Sequence, residues 1–158
     1  MLTRRDFVLG SGALAVAVTV PWRAEAGADA GARPPFVTAY LEVSPDGSVK
    51  LYSPTTEMGQ GTHTGHAVII ADELGVDLER VSVVTAEPAD PFRRNGQMGS
   101  GGSWGVRAWY QPLRKASAQA REVLIAAAAA QWNEPAAECR LERGEGVHSA
   151  SQRRQGIG

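Results

Sequence analysis

The chain has 158 residues, 16 basic against 17 acidic side chains, a formal net charge of −1 and a single cysteine, Cys139. That length holds one modest domain and excludes a second large catalytic one, and the balanced charge lacks the concentrated positive footprint that nucleic-acid binding needs. The lone Cys139 excludes an intramolecular disulfide framework and a cysteine cage for zinc or an iron–sulfur cluster, so a structural thiol in the core is expected there.

The first segment, Thr3-Arg4-Arg5-Asp6-Phe7-Val8-Leu9, is followed by an apolar, small-residue stretch to Val20 and by Ala24-Glu25-Ala26. Paired arginines, an apolar run shorter than the roughly 20 residues of a spanning helix, and an A-x-A site together read as a leader over residues 1–26. Thr3, Phe7 and the apolar residue after it match the twin-arginine type. That type implies passage through the twin-arginine translocase to the periplasm, with a cofactor loaded before export. An ordinary secretory leader or a short anchor would share the two arginines. Residues 27–35 are rich in Gly, Ala and Pro without periodicity and read as a linker.

Structure is expected from Phe36. Val37, Ala39, Leu41 and Val43 alternate with polar or amphipathic neighbours, Pro45-Asp46-Gly47 supplies a turn, and Val49 and Leu51 resume the alternation, which is a hairpin. Ala67, Ile70, Ala71 and Leu74 then recur at helical spacing, so a helix is predicted over Thr62 to Leu74, ended by a left-handed Gly75. Val81 to Thr85 is a short β-branched strand. The order strand, strand, helix, strand predicts an α+β fold, a small sheet with helices packed on it. Residues 87–103 form a long irregular loop, and loops of that length in a compact domain are usually functional.

A second helix is predicted over Pro112 to Trp132, with Trp104 to Gln111 as an extra turn ahead of it and Pro112 in its first turn. Leu113, Ala116, Ala120, Val123, Leu124 and Ala127 form its apolar stripe. Beyond Pro135 lie an Ala-Ala-Glu turn, a strand over Cys139 to Glu142 and a polar tail. Gln152 to Gly158 shows no strand pattern and no closing apolar segment, so the end is expected to be a cut through a larger protein.

Two glycine-bearing loops carry the candidate chemistry. In Thr55-Thr56-Glu57-Met58-Gly59-Gln60-Gly61-Thr62-His63-Thr64, between a strand end and a helix start, unpaired backbone N–H groups are expected to point outward. Gly59 and Gly61 permit close approach of a ligand, Gln60 offers a donor and an acceptor, and Thr62 and Thr64 add hydroxyls. A pterin edge needs that mixture, although a Gly-Gln-Gly turn alone also serves as plain punctuation. The second loop, Gly96-Gln97-Met98-Gly99-Ser100-Gly101-Gly102-Ser103, runs straight into a helical region and could face the same ligand, or be a flexible linker. His63, His66 and Glu73 share neither the i, i+4 pair of a helical metalloprotease nor a closed four-ligand set, so no metal ligand is assigned. No Lys-Ser or Lys-Thr follows Gly61, which excludes a phosphate loop.

The stretch TEMGQGTHTGHAVIIADELGVDLERVSVVTAEP, followed by MGSGGSWGVRAWYQPLRKASAQAREVLIAAAA, resembles the molybdopterin-binding region of the xanthine dehydrogenase and aldehyde oxidase family. Within that family it is most similar to large (beta) subunits of the isoquinoline 1-oxidoreductase type. The resemblance covers residues 36–158 and implies a partial molybdopterin-binding domain. It implies that Gly59, Gln60, Gly61, Thr62 and Thr64, with Gly99, Ser100, Gly101, Gly102 and Ser103, contact a molybdenum-bearing molybdopterin cytosine dinucleotide. It also implies a separate iron–sulfur small subunit as partner, and the rest of the large subunit. The activity implied is oxidation of aldehydes or N-heterocycles with oxygen from water. The family's glutamine-bearing loop near molybdenum and its late Gly-Glu motif are absent, so no catalytic residue is assigned. An exported, noncatalytic α+β binding or structural module is the competing class.

Overall fold

A computed structural model describes residues 40–44 and 46–157. The expected leader, the linker and the Val37–Ala39 half of the first strand lie outside the described residues. Among the described residues, two three-stranded sheets and two long helices make an α+β fold, as the pattern of elements predicts.

The first sheet holds β1 (Leu41–Val43), β2 (Val49–Ser53) and β3 (Val81–Thr85) in that order. β1 and β2 are antiparallel, with Leu41 opposite Leu51 and Val43 opposite Val49. Their turn closes through Gly47 N–H donating to the Ser44 carbonyl at 2.9 Å, with Ser48 N–H donating to Asp46 Oδ1 at 2.9 Å. β3 lies parallel to β2, which requires a crossover, and α1 (Thr62–Leu74) supplies it. Gly75 ends α1 in the left-handed conformation at φ 72°, its N–H bonded to the Ala71 carbonyl, where a side chain would meet strain.

α2 runs unbroken from Gly105 to Trp132. It therefore begins seven residues before the expected start, and Pro112 sits inside it rather than in its first turn. A proline there removes the N–H that would bond the Ala108 carbonyl four residues back. The Arg94 guanidinium takes that place, Nη1 donating to the Ala108 oxygen at 2.8 Å. The helix survives its proline because a side chain from the preceding loop satisfies the orphaned acceptor.

The core lies between the first sheet and both helices. Leu41, Val43, Val49 and Leu51 from the sheet meet Ile70 and Leu74 of α1 and Leu113, Ala120 and Leu124 of α2. The predicted face of α1 is buried throughout, but Val123 and Ala127 of the predicted α2 stripe are exposed. Ile125, Ala128 and Ala129 are buried instead, because the end of α2 turns a different side to the second sheet. Glu73, near the end of α1, binds Arg114 at 2.7 Å and Arg121 at 3.3 Å, which ties the two helices together at the edge of the core.

The predicted strand over Cys139 to Glu142 is present, and the polar tail beyond it is paired too, where no strand pattern was expected. β4 (Cys139–Glu142), β5 (Glu145–His148) and β6 (Arg153–Gly156) form an antiparallel sheet. Arg143 and Gly144, both at positive φ, make the two-residue turn between β4 and β5. On β4, Cys139 and Leu141 alternate with Arg140 and Glu142, and charged pairs line the exposed side of the sheet: Arg154 binds Glu145 at 3.1 Å and Arg140 binds Glu142 at 3.3 Å. Ile157 then enters the main core, so an apolar residue does close the segment. Cys139 is buried, as expected of a structural thiol. No described helix is long and apolar enough to cross a membrane.

Candidate functional site

The first loop leaves β2 at Ser53, passes the buried Pro54 and Thr55, and surfaces at Thr56. Gly59 and Gly61 hold φ of 92° and 76°, which side-chain-bearing residues adopt only at a cost. Their amides are not free, contrary to expectation. Glu57 Oε1 accepts from Gly59 N–H at 2.8 Å and Gly61 N–H at 2.9 Å, and Oε2 accepts from His63 N–H at 3.0 Å. These donors, led by that of His63, hold the Glu57 carboxyl below its ordinary value. Gln60 also folds back, Oε1 accepting from Met58 N–H and Nε2 donating to the Thr56 carbonyl at 2.7 Å. Met58 is left at the apex, 69% exposed.

The second loop is not wholly irregular. Asp90–Phe92 form a 3-10 turn, and Arg94 and Gln97 exchange backbone hydrogen bonds across Asn95 and Gly96, both at positive φ. Asn-Gly is a sequence signal for such a tight reversal, which the reading of residues 87–103 as an irregular loop passed over. Beyond it, the amides of Met98 through Ser103 donate to no acceptor among the described residues. Consecutive unpaired N–H groups on an exposed loop are ready to receive a polar ligand.

The two loops touch at one point. Ser100 Oγ accepts from Thr56 N–H at 2.7 Å and lies 3.3 Å from the Thr56 carbonyl. An open cleft of about 410 Å³ runs along the second loop, bounded by Thr55, Arg94, Gly99, Ser100 and Trp104. Another, of about 490 Å³, lies on the other side of Met98 and Gly99, against Thr56 and Arg93. The exposed Trp104 ring carries the Arg107 guanidinium 4.4 Å from its centroid and that of Arg94 at 5.8 Å.

A buried polar junction holds both loops in place. His66, fully buried on α1, has Nδ1 3.1 Å from Ser53 Oγ at the end of β2 and Nε2 3.1 Å from the Gly105 carbonyl at the start of α2. A carbonyl only accepts, so the network assigns the proton to Nε2, and Nδ1 accepts from Ser53. Burial lowers the His66 pKa and favours this neutral form. The helices also approach closely here: a Cβ on Gly65 would lie 2.9 Å from Val106 Cγ2, and one on Gly105 would lie 2.9 Å from Thr62 Cγ2. His63 Nε2 lies 2.8 Å from the Thr55 carbonyl, so neither histidine is turned toward Glu73.

Of the candidate residues, Gly59, Gln60, Gly61 and Thr64 are exposed on the first loop and helix start, and Gly99 to Ser103 lie along the second loop. Thr62 does not join them, because it is buried against Gly105. Sequence reasoning missed four organising residues: Glu57, His66, Asn95 and Arg94. Only Asn95, through its following glycine, carried a local signal. The partners of the other three are set by folding.

Two loops braced on a βαβ unit thus meet at Ser100 and Thr56, the first with its amides taken up by Glu57, Gln60 and Ser100 and the second with those of residues 98–103 unpaired among the described residues. A family model described as a molybdopterin cofactor-binding domain matches residues 11–156. The chain belongs to that family, the molybdopterin-binding part of xanthine dehydrogenase-type proteins. It is 32% identical over 161 aligned residues to isoquinoline 1-oxidoreductase subunit beta of Brevundimonas diminuta, covering 96% of this chain and 21% of that protein. It is 32% identical over 89 residues to the aldehyde oxidoreductase molybdenum-binding subunit PaoC of Escherichia coli O157:H7, covering 56% of this chain and 12% of the relative. The crystal structure of quinoline 2-oxidoreductase from Pseudomonas putida 86 shares the fold, with a TM-score of 0.60, 20% identity, and coverage of 74% of this chain and 14% of that one. The chain thus spans about a fifth or less of the length of these proteins.

The residues present fit the cofactor that the family implies. A Cβ added at Gly59, Gly61, Gly99 or Gly101 would meet nothing within 4 Å, so the surface above both loops is bare. The amides of the second loop supply donors beside it.

Proposed function

We propose that this chain forms one wall of the cofactor site in a molybdenum hydroxylase large subunit. The complete protein would oxidise an aldehyde or an N-heterocycle with oxygen taken from water. The observation that carries the reading is the Ser100–Thr56 clasp, which puts both glycine loops on one face with the amides of residues 98–103 unpaired. Gly99, Ser100, Gly101, Gly102 and Ser103 would hold the cofactor by backbone N–H groups, and Gly59, Gln60 and Gly61 would border it. The bound group would supply two-electron redox chemistry at molybdenum. The chain's own contribution is to position the cofactor and exclude water along one side. The cytosine dinucleotide form, the iron–sulfur small subunit and the rest of the large subunit are parts of this proposal, supported by the names of relatives that are subunits of larger oxidoreductases. Twin-arginine export to the periplasm is a further part, supported by Arg4, Arg5 and Phe7.

The test is to produce the full chain in a host that makes the cofactor, capture it in one rapid step, and measure molybdenum and pterin per folded protein. Both should be present in wild type and reduced in Ser100→Ala, whose loss frees the two loops from each other. A folded chain with neither molybdenum nor pterin would favour the noncatalytic module instead.

A further inference from the structure

We propose that Glu57 is the positioning residue of the first loop, its carboxylate gathering the amides of Gly59, Gly61 and His63 so that the loop meets the cofactor already shaped. The proposal rests on the cofactor reading above. Three backbone donors converge on two oxygens of one side chain, at 2.8, 2.9 and 3.0 Å. Without that acceptor, nothing else among the described residues compensates the three N–H groups, since Gln60 is engaged with Met58 and Thr56. Two glycines at φ of 92° and 76° have many alternative conformations and no side chain to restrict them. The turn's shape must therefore come from contacts reaching across it; Gln60 bonds Met58 and Thr56, and Glu57 alone among these side chains holds the amides of both glycines.

The carboxylate also decides what the loop offers. A concavity of backbone amides at a helix start usually attracts an external anion. Here it is filled by the protein's own charge, so the loop presents its outer surface, Met58 and the bare glycine backbone, to whatever lies above. The ionisable group whose charge acts on Glu57 is His63, whose amide it binds and whose positive form would favour the carboxylate further. Glu57 acts through the turn and touches no reacting atom, so it is a positioning residue.

Two measurements test this. In the full chain, the amide proton resonances of Gly59, Gly61 and His63 should titrate together with one midpoint below that of an ordinary glutamate, and should lose this titration in Glu57→Gln. Scattered or absent titration would overturn the assignment. In the cofactor-producing host, Glu57→Ala should lower rapidly captured pterin by about tenfold, the factor equivalent to 1.4 kcal/mol of lost pre-organisation. Its melting temperature should stay near wild type, because the turn is exposed. Glu57→Gln, which keeps one accepting oxygen for the two glycines, should retain an intermediate amount. Unchanged pterin in Glu57→Ala would sink the proposal. If wild type itself holds no pterin, the cofactor reading fails, and the amide titration alone decides whether Glu57 organises the turn.

Discussion

His66 shows how a single buried side chain sets the position of two loops. Its ring bridges the strand end before the first loop and the helix start after the second, so shortening it removes the link between Ser53 and the Gly105 carbonyl and opens a cavity. His66→Ala should lower stability by about 2–4 kcal/mol, read from the urea midpoint. A pH dependence follows from the same residue. Its folded-state pKa is lowered by burial, so the unfolded chain takes up the proton first. Its contribution is fully present above the unfolded histidine value of about 6.5 and is lost as pH falls through the lower folded value. Stability measured from pH 7.5 downward should decline below about pH 6.5 in wild type, and the decline should be shallower in a His66→Gln variant. Parallel curves for the two proteins would contradict the assignment.

Two cross-element devices matter more than the propensity of any one helix. Pro112 leaves the Ala108 carbonyl without its helical donor, and Arg94 replaces it from the loop. Arg94→Ala should cost about 1–2 kcal/mol in wild type. In a Pro112→Ala background the restored N–H takes over, and the cost should fall by about 1 kcal/mol, a coupling that a double-mutant cycle reads directly. Additive changes would show that the arginine stabilises by other means. The second device is Glu73, whose side chain is 10% exposed while its partners Arg114 and Arg121 are 44% and 35% exposed. Replacing both arginines by methionine strands a mostly buried carboxylate, and a loss of about 2–3 kcal/mol is expected after allowing for solvent screening. Glu73→Gln should cost less, since the freed arginines remain solvated. Thermal unfolding of the variants side by side checks the ranking.

At the scale of the whole molecule, the loops line open clefts rather than an enclosed chamber. A cofactor laid along them would be covered on one side only, whereas redox chemistry at a metal demands a dry, shaped pocket and a positioned base. The chain by itself is therefore expected to turn over no aldehyde or N-heterocycle, assayed with an artificial electron acceptor after production in a cofactor-competent host. Molybdenum-dependent turnover by the isolated chain would show that this wall suffices. Export belongs to this scale too: Arg4→Lys with Arg5→Lys should keep the protein in the cytoplasm, and unchanged periplasmic delivery would remove the twin-arginine assignment.

The sequence alone determined whatever rests on local periodicity and turn chemistry. The hairpin, the thirteen residues of α1 with their Gly75 cap, β3 and the α+β class all follow from spacing that each segment carries within itself. The candidate loops were visible for the same reason, because glycine clusters between periodic segments mark turns. Tertiary structure decided what depends on a distant partner. It extended α2 through Pro112 because Arg94 was at hand, and it paired β6, which carries no apolar period, with β5 along an antiparallel backbone ladder. It brought Ser100 to Thr56 across 44 residues of chain. Neighbours supply those forces, and a residue's own side chain does not announce them: Glu57 reads as a surface acid until the fold brings three amides to its carboxylate.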